Sequence, residues 1–219
     1  IYTMTTDGED VRRLTNSLGV DRSPAWSPDG SQIVFISNRG GTDTDVYVMN
    51  ADGSGQYILQ PLDGNEYEPT WSPDGDRLAY VSPDNDGVPR VFWVRLGDLL
   101  PNRLIFESNS EVDPAWSPNA TWIAFAAIDA NGKSEGLFLR NPDGVNRLQL
   151  SASPDRNPVW SPDGTTLMWS AGGTWGALEC SAGDASASRL PRSEVEPFYV
   201  AVSPDGRWLT YESHRQVQV

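Results

Sequence analysis

Acidic residues recur at one spacing along this chain of 219 residues, and carboxylates at repeated positions can bind cations or take part in acid–base chemistry. Oxygen ligands of this kind suit Ca²⁺ or Mg²⁺. Two carboxylates about 5–10 Å apart would also serve the hydrolysis of a glycosidic bond. The residues that could do this chemistry are Asp21, Glu66, Glu68, Glu111, Asp113, Asp155 and Glu196.

The elements that must position these acids are marked by the string Trp-Ser-Pro-Asp-Gly. Complete copies begin at Trp26, Trp71 and Trp160, and degenerate copies begin at Trp116 and Val202. Successive copies are 42–45 residues apart, and the step counted across the two termini is 43 residues, so the chain holds a whole number of units. A repeat of about 40–45 residues is the length of one four-stranded propeller blade.

One unit shows how a blade is made. Ser27-Pro-Asp-Gly30 favours a tight turn, because proline presets φ and glycine suits the last position. Residues 32–37 (QIVFIS) are β-branched and aromatic, which is typical of a strand. We expect four strands, at residues 24–26, 32–37, 46–49 and 56–59. The tryptophan before each Ser-Pro is predicted to fill the gap between adjacent sheets.

The repeat predicts an all-β fold: a closed five-bladed β-propeller of four-stranded antiparallel blades, with the last blade completed by the N-terminal strands. Residues 1–15 align with residues 45–59, the second half of a unit. Closure would remove exposed sheet edges. The prediction is a single domain over residues 1–219, with blades at 21–60, 66–107, 111–150, 155–191, and 196–215 plus 1–16.

The repeats resemble a known family. An acidic residue, then Pro-x-Trp-Ser-Pro-Asp-Gly, a strand ending in Ser37, and Asp45-Val-Tyr-Val-Met-Asn-Ala-Asp-Gly53 together resemble the TolB-type, WD-like β-propeller repeat along the whole chain. The resemblance implies a bacterial protein of the periplasm or the cell exterior. It does not imply one partner, because propellers host many functions. The fourth unit departs from the pattern after its second strand, and the fifth has Val202 in place of tryptophan.

Composition narrows the function classes. The formal net charge of −14 disfavours nucleic acid as a partner and favours a cationic one. No apolar run approaches the length of a membrane span. The single cysteine, Cys180, excludes an internal disulfide, and the single histidine, His214, leaves a serine triad one poor candidate base.

The fold predicts where the acids lie. In a propeller blade, the loop before the first strand and the loop between the second and third strands share one face. The repeated acids would therefore meet at one mouth of the central channel and hold a cation or a basic ligand, with Ca²⁺ as one possible cofactor. The alternative is that they bond to backbone N–H groups, to Arg22 or to Arg156, and serve the fold.

A non-catalytic binding module is the function that the sequence favours, since no acid–base machinery is apparent in it. The binding face would carry the loops at residues 38–45, 83–89 and 129–135, with Arg39, Arg90 and Trp175 as contacts for a protein partner or small ligand. We expect a monomer. Two alternatives stay open: a glycoside-active propeller enzyme with channel carboxylates, and a fragment or engineered form of a larger TolB-like propeller.

Overall fold

The structure is a computed structural model, and it describes residues 1–60, 62–104, 110–144, 146–152, 155–171, 174–181, 184–188, 197–202 and 209–213. Side chains are described as far as Ser170, and for Val202. The regular structure in these residues is entirely β-strand, so it includes no helix that could span a membrane. The strands belong to two compact units, residues 1–103 and 104–219.

The first unit begins with a two-stranded hairpin, in which Tyr2 pairs with Arg13. This register equals that of Tyr47 with Ile58 in the next sheet, so the predicted alignment of the N-terminal residues with the second half of a unit is confirmed. The hairpin is followed by two four-stranded antiparallel sheets, each with its strands in chain order. The hairpin strands are β1 (Tyr2–Thr3) and β2 (Arg12–Arg13); sheet 1 has β3 (Asp21–Trp26), β4 (Gln32–Ser37), β5 (Asp45–Asn50) and β6 (Tyr57–Ile58); sheet 2 has β7 (Tyr67–Trp71), β8 (Arg77–Pro83), β9 (Pro89–Arg95) and β10 (Asn102–Arg103).

The second unit repeats this plan. Its sheets 3 and 4 are four-stranded and antiparallel, and a final pair of strands forms a two-stranded sheet. Sheet 3 has β11 (Ser110–Trp116), β12 (Ile123–Ile128), β13 (Ser134–Arg140) and β14 (Arg147–Gln149); sheet 4 has β15 (Asp155–Trp160), β16 (Thr166–Ala171), β17 (Thr174–Ser181) and β18 (Asp184–Ser188); the final pair is β19 (Pro197–Val202) and β20 (Leu209–Ser213).

The all-β class and the four-stranded antiparallel blades are therefore confirmed. Among the described residues, β1 and β2 pair with each other, as do β19 and β20, and no pairing between these two hairpins is observed. The count of five blades, the closed ring and the joint last blade stay predictions.

The two central strands of sheet 1, β4 and β5, are buried on both faces, which explains their nearly unbroken apolar sequences. Side chains alternate between the faces of a strand. Val34 and Ile36 pack with Leu78 and Tyr80 of sheet 2 in one core cluster. On the opposite face, Phe35 packs with residues that include Leu14 from the end of the N-terminal hairpin.

Trp71 and Trp160 lie between neighbouring sheets, as predicted for the repeated tryptophans, whereas Trp26 is 52% exposed and departs from the prediction. Trp71 is 7% exposed and lies in the core cluster shared by sheets 1 and 2. Its Nε1–H donates to the Ala25 carbonyl at 3.2 Å. In the second unit, the Nε1–H of Trp160 donates to the Ala115 carbonyl at 3.3 Å. The indole thus supplies both apolar area and a hydrogen bond between consecutive sheets.

The Ser-Pro-Asp-Gly strings at residues 27–30, 72–75 and 161–164 form the predicted turn, and the string at residues 203–206 lies outside the described residues. In the first copy, the Gly30 N–H donates to the Ser27 carbonyl at 2.9 Å, and the Ser27 hydroxyl donates to the Asp29 carboxylate at 2.6 Å. Gly30 has a left-handed φ of 70°, which glycine adopts without steric cost. The degenerate copy that begins at Trp116 repeats this geometry, with Ala120 in the glycine position at a φ of 57°.

Candidate functional site

Each four-stranded sheet has two ends. We call the end with the loop between the second and third strands the loop end, and the end with the Ser-Pro-Asp-Gly turn the turn end. In sheet 1, Asp21 pairs with Ser37, and Ser37 pairs with Asp45. The first strand therefore starts beside the loop at 38–44, as the sequence predicted. The candidate acids of the described residues enter their sheets at these loop ends.

Asp21 is held by an ion pair. Its carboxylate accepts from Arg39 Nη2 at 2.8 Å and from the Ser17 hydroxyl at 2.8 Å. Burial alone would raise the pKa of Asp21, but hydrogen bonds from Arg39, Ser37, Ser17 and Thr15 together lower it well below its usual range. Asp21 is therefore an ionised acceptor within sheet 1, and its arginine partner is Arg39.

The two arginines predicted as partner contacts lie mainly within their own sheets. The side chain of Arg39 is 19% exposed, lies over the Phe35 and Tyr47 rings at 5.1 and 5.0 Å, and also bonds to Gln56. The side chain of Arg90 is 4% exposed and pairs with Asp84 at 3.1 Å. Trp175 lies in β17, and its side chain is outside the described residues. A contact between any of the three and a partner stays a prediction.

Glu66 lies immediately before β7 and is 1% exposed. Its Oε2 accepts from the Val46 N–H at 2.8 Å, and its own N–H donates to the Thr44 carbonyl at 2.7 Å. The Thr44 hydroxyl donates in turn to the Glu66 carbonyl at 2.9 Å. Burial, together with the charge of nearby Asp45, raises the pKa of Glu66 to about 8. Glu66 is thus an uncharged buried group at neutral pH, and it joins sheet 2 to the loop of sheet 1.

Glu68 and Asp113, the candidate acids three residues before a repeated tryptophan, have an unusual backbone conformation that was not expected from the sequence. Glu68 and Asp113 have left-handed φ angles of 55° and 56°, and each lies at a β-bulge in its first strand. Ser23 and Asn157 share this conformation at the equivalent positions. Asn and Asp tolerate it better than most residues, so polarity at this position has a backbone explanation. The recurrence of Ser, Glu, Asp and Asn here was the available signal.

Asp113 connects two consecutive sheets of the second unit. It is 8% exposed, and its Oδ2 accepts from Arg156 Nε at 2.5 Å and from the Asn157 N–H at 3.0 Å. The Asn157 side chain donates to the Ser170 hydroxyl at 3.2 Å. The sequence allows Arg156 as a structural partner of the repeated acids, and its pairing with Asp113 is observed.

Glu111 and Asp155 are each 2% exposed, at the starts of the first strands of sheets 3 and 4. Glu196 lies outside the described residues. In the part of the chain that is described, no three or more His, Cys, Asp or Glu side chains are grouped so that they could hold a metal ion. Convergence of the acids on one channel stays a prediction.

A cleft of about 460 Å³ lies at the turn end of the first unit, between the Ser-Pro-Asp-Gly turns of sheets 1 and 2. Asp29, Asp74 and Asp76 are among its lining residues. Sequence reasoning assigned these turns to structure alone. Their repetition at a fixed spacing was the signal that consecutive turns would be neighbours.

Repeated four-stranded antiparallel sheets, joined by tryptophan and carboxylate contacts, define this chain as a β-propeller repeat protein. A sequence profile of the TolB beta propeller domain matches residues 42–184. The chain therefore belongs to the TolB β-propeller family.

A curated relative, the protein TolB homolog of Chlorobium luteolum (strain DSM 273 / BCRC 81028 / 2530), is 46% identical over 41 residues. These residues are 19% of this chain and 9% of the relative, so the match spans a small part of that protein.

Solved structures share the fold over nearly the whole chain. A putative TolB from Agrobacterium tumefaciens has a TM-score of 0.79 at 17% identity, covering 98% of this chain and 83% of that one. TolB from Acinetobacter baumannii has a TM-score of 0.75 at 19% identity, covering 95% and 52%. A puromycin-hydrolyzing peptidase from Mycobacterium tuberculosis has a TM-score of 0.62 at 20% identity, covering 92% and 35%. At these identities the likeness concerns the fold alone.

Proposed function

We propose that the chain is a non-catalytic binding scaffold of a bacterial envelope or extracellular protein, and that it acts as a monomer. It contacts a protein partner or a small ligand through the loop end. The TolB proteins among its relatives support this class of function and a periplasmic location. The closed ring of five blades, completed by the N-terminal strands, is part of the proposal, because closure would gather the loop ends on one face.

The observation that carries the proposal is that candidate carboxylates already accept hydrogen bonds from arginine, serine and backbone N–H groups of the protein. Asp113 accepts bonds from Arg156 and from the Asn157 N–H, and Asp21 accepts from Arg39 and Ser17. A glycosidase needs one carboxyl group free to donate a proton and another free to attack or to activate water. Carboxylates that are committed to arginine and backbone N–H groups fit a framework better than a catalytic pair.

The exposed tips of the loops are the natural contact surface. Asp43 and Asp86 are exposed at the loop end of the first unit, and Lys133 is exposed at the loop end of the second. With a net charge of −14, the chain would attract a basic partner surface over a distance and bind it faster at low salt.

Photo-crosslinking tests the location of the surface. A benzophenone amino acid replaces Asp43 or Asp86 at the loop end, and Asp29 or Asp52 at the turn end serves as the matched control. After irradiation in a periplasmic extract from a Gram-negative bacterium, we expect discrete adducts from the loop-end positions only. Equal labelling from both ends would contradict the assigned surface.

Catalysis is tested separately. The purified protein is assayed against aryl glycosides, polysaccharides and aminoacyl anilides, and we expect no turnover above buffer. Sustained hydrolysis would overturn the non-catalytic assignment whatever the crosslinks show. Calorimetric titration with Ca²⁺ tests the channel cation, and saturable heat with a raised melting temperature would establish it.

A further inference from the structure

Besides Oε1 of Gln60, three buried side-chain oxygen atoms in the described part of the first unit have no hydrogen-bond partner. They are Oε1 of Glu66, the Tyr80 hydroxyl and the Ser82 hydroxyl, on side chains that are 1%, 0% and 1% exposed. Most buried polar groups in native proteins are paired with protein atoms or ordered water. Leaving such a group unpaired costs about 1–3 kcal/mol. Three in one region therefore need an explanation.

The strand register brings these atoms to one place. Tyr67, which follows Glu66, pairs with Val81, the residue between Tyr80 and Ser82. Residues two apart on a strand point to the same face, so the side chains of Tyr80 and Ser82 leave β8 together. Tyr80 belongs to the core cluster that includes Val46 of sheet 1.

Two further observations place Glu66 against this face. Its Oε2 accepts from the Val46 N–H, so its carboxyl group lies at the edge where β5 begins. Burial raises the pKa of Tyr80, and the charge that Glu66 carries once it is ionised raises it further. The register, the core cluster and the Val46 bond thus put the three orphan oxygens on the same face of sheet 2, at a position between sheets 1 and 2.

The chemistry of these atoms favours a neutral ligand that both donates and accepts hydrogen bonds. Tyr and Ser hydroxyls can do either, and a neutral carboxyl group has one donor and further acceptor capacity. A divalent cation such as Ca²⁺ would favour six or more oxygen ligands with charged carboxylates among them. Asp45 does not supply the second charge on this face, because it alternates with Val46 along β5.

We propose that an ordered internal water occupies this position and is hydrogen-bonded by Glu66, Tyr80 and Ser82. Buried waters typically make about three hydrogen bonds to otherwise unsatisfied groups. Through Glu66, the water fixes the carboxyl group that holds the Val46 N–H, and with it the loop at residues 38–44. This site is independent of whether the loop end binds a partner.

A buried carboxyl oxygen without a partner also occurs at the same repeat position in the second unit. Asp155 is equivalent to Glu66, is 2% exposed, and has a buried Oδ1 without a partner.

Removal of each hydroxyl group tests the proposal, because the folding equilibrium constant should fall if the site holds water and should not fall if the site is dry. For a bound water, Tyr80→Phe and Ser82→Ala each remove a hydrogen bond. We expect each to lower the folding equilibrium constant about fivefold, as measured by urea unfolding. For a dry site, removing an unsatisfied hydroxyl is neutral or stabilising, and that result would overturn the proposal. Tyr57→Phe, which removes the hydroxyl of a half-exposed tyrosine, is the matched control and should leave the constant unchanged.

A direct measurement distinguishes water from other occupants. In the full chain, we expect an NMR cross-peak between a long-lived water and the Val46 amide, and its loss in Tyr80→Phe. Absence of that cross-peak in the unchanged protein would count against the site. Unfolding is also compared in sodium chloride and choline chloride at equal ionic strength, where we expect no difference. A sodium-dependent gain in stability would show that a cation occupies the position.

Discussion

Asp113 and Asn157 hold the same left-handed backbone conformation in consecutive sheets, and the carboxylate of the first accepts the main-chain N–H of the second at 3.0 Å. Each position is a bulge, where the backbone N–H is not used by the regular ladder. One side chain therefore satisfies the exposed backbone of the next repeat.

This relationship predicts the effect of Asp113→Asn and Asp113→Ala. Asparagine tolerates the conformation and can still accept from the Asn157 N–H, but it loses the ion pair with partly exposed Arg156. We expect a loss of about 1 kcal/mol for asparagine. Alanine also leaves the Asn157 N–H without its acceptor, so we expect a loss of about 2–3 kcal/mol. Urea unfolding measures both. Asp63→Asn at an exposed residue is the control, and equal losses at both sites would contradict the role of Asp113.

Ala120→Gly is predicted to stabilise the protein. Ala120 has a φ of 57° where the other turns have glycine, and a Cβ in this region costs about 1 kcal/mol or more. We expect a gain of about 1 kcal/mol, or a rise in Tm of roughly 2–4 °C. Gly164→Ala is the reciprocal variant at a φ of 71°, where a Cβ would have ordinary contacts, the nearest at 3.5 Å to Pro118. Gly164→Ala should lower the free energy of unfolding by a similar amount. Calorimetry measures both variants, and Tm shifts in the same direction would contradict the prediction.

Glu66→Gln should change how stability depends on pH. Burial and the charge of Asp45 raise the pKa of Glu66 from 4.5 to about 8, so the folded protein holds this proton more tightly than the unfolded chain. The stabilisation from Glu66 is therefore complete below about pH 4.5 and is lost progressively as the pH rises to about 8. Glutamine stays neutral at every pH.

The measurement is the difference in free energy of unfolding between the two proteins from pH 4 to pH 9. We expect the unchanged protein to lose a few kcal/mol relative to Glu66→Gln across that range, because each pKa unit corresponds to about 1.4 kcal/mol. Glu9→Gln, at an exposed residue, is the matched control for the same substitution outside the core. A constant difference for Glu66→Gln would show that its carboxyl group is not buried uncharged.

Trp71→Phe and Trp26→Phe form a matched pair. Trp71 is 7% exposed and donates to the Ala25 carbonyl, whereas Trp26 is 52% exposed. We expect Trp71→Phe to cost about 2 kcal/mol, from lost packing and an unpaired carbonyl, and Trp26→Phe to cost less than about 0.5 kcal/mol. Denaturant unfolding compares them, and equal costs would contradict the exposure of Trp26.

Much of the architecture could be predicted from local sequence. The Ser-Pro-Asp-Gly turns of the described residues form as expected because proline, glycine and a serine–carboxylate bond act within four residues. The second strand of sheet 1 was predicted at residues 32–37 and is observed there, and the third and fourth differ from the prediction by one residue at each end. The period of about 45 residues predicted the four-stranded repeat itself.

The roles of the candidate acids could not be predicted in the same way. Asp21, Glu66 and Asp113 appear identical in sequence as repeated charges before a tryptophan. Their uses differ because each meets different partners, namely Arg39, the Val46 N–H, and Arg156 with the Asn157 N–H. These partners are 18 to 44 residues away along the chain, and only packing brings them into contact.

The sequence by itself determined the repeat, its turns, its strands and its family, since each depends on residues close together in the chain. Tertiary structure decided which acids are charged, which are buried and neutral, and which backbone groups they satisfy. The physical reason is that desolvation and hydrogen bonding depend on the groups that surround a side chain in space. At Glu66 those surroundings turn a repeated acid into an uncharged junction between two sheets.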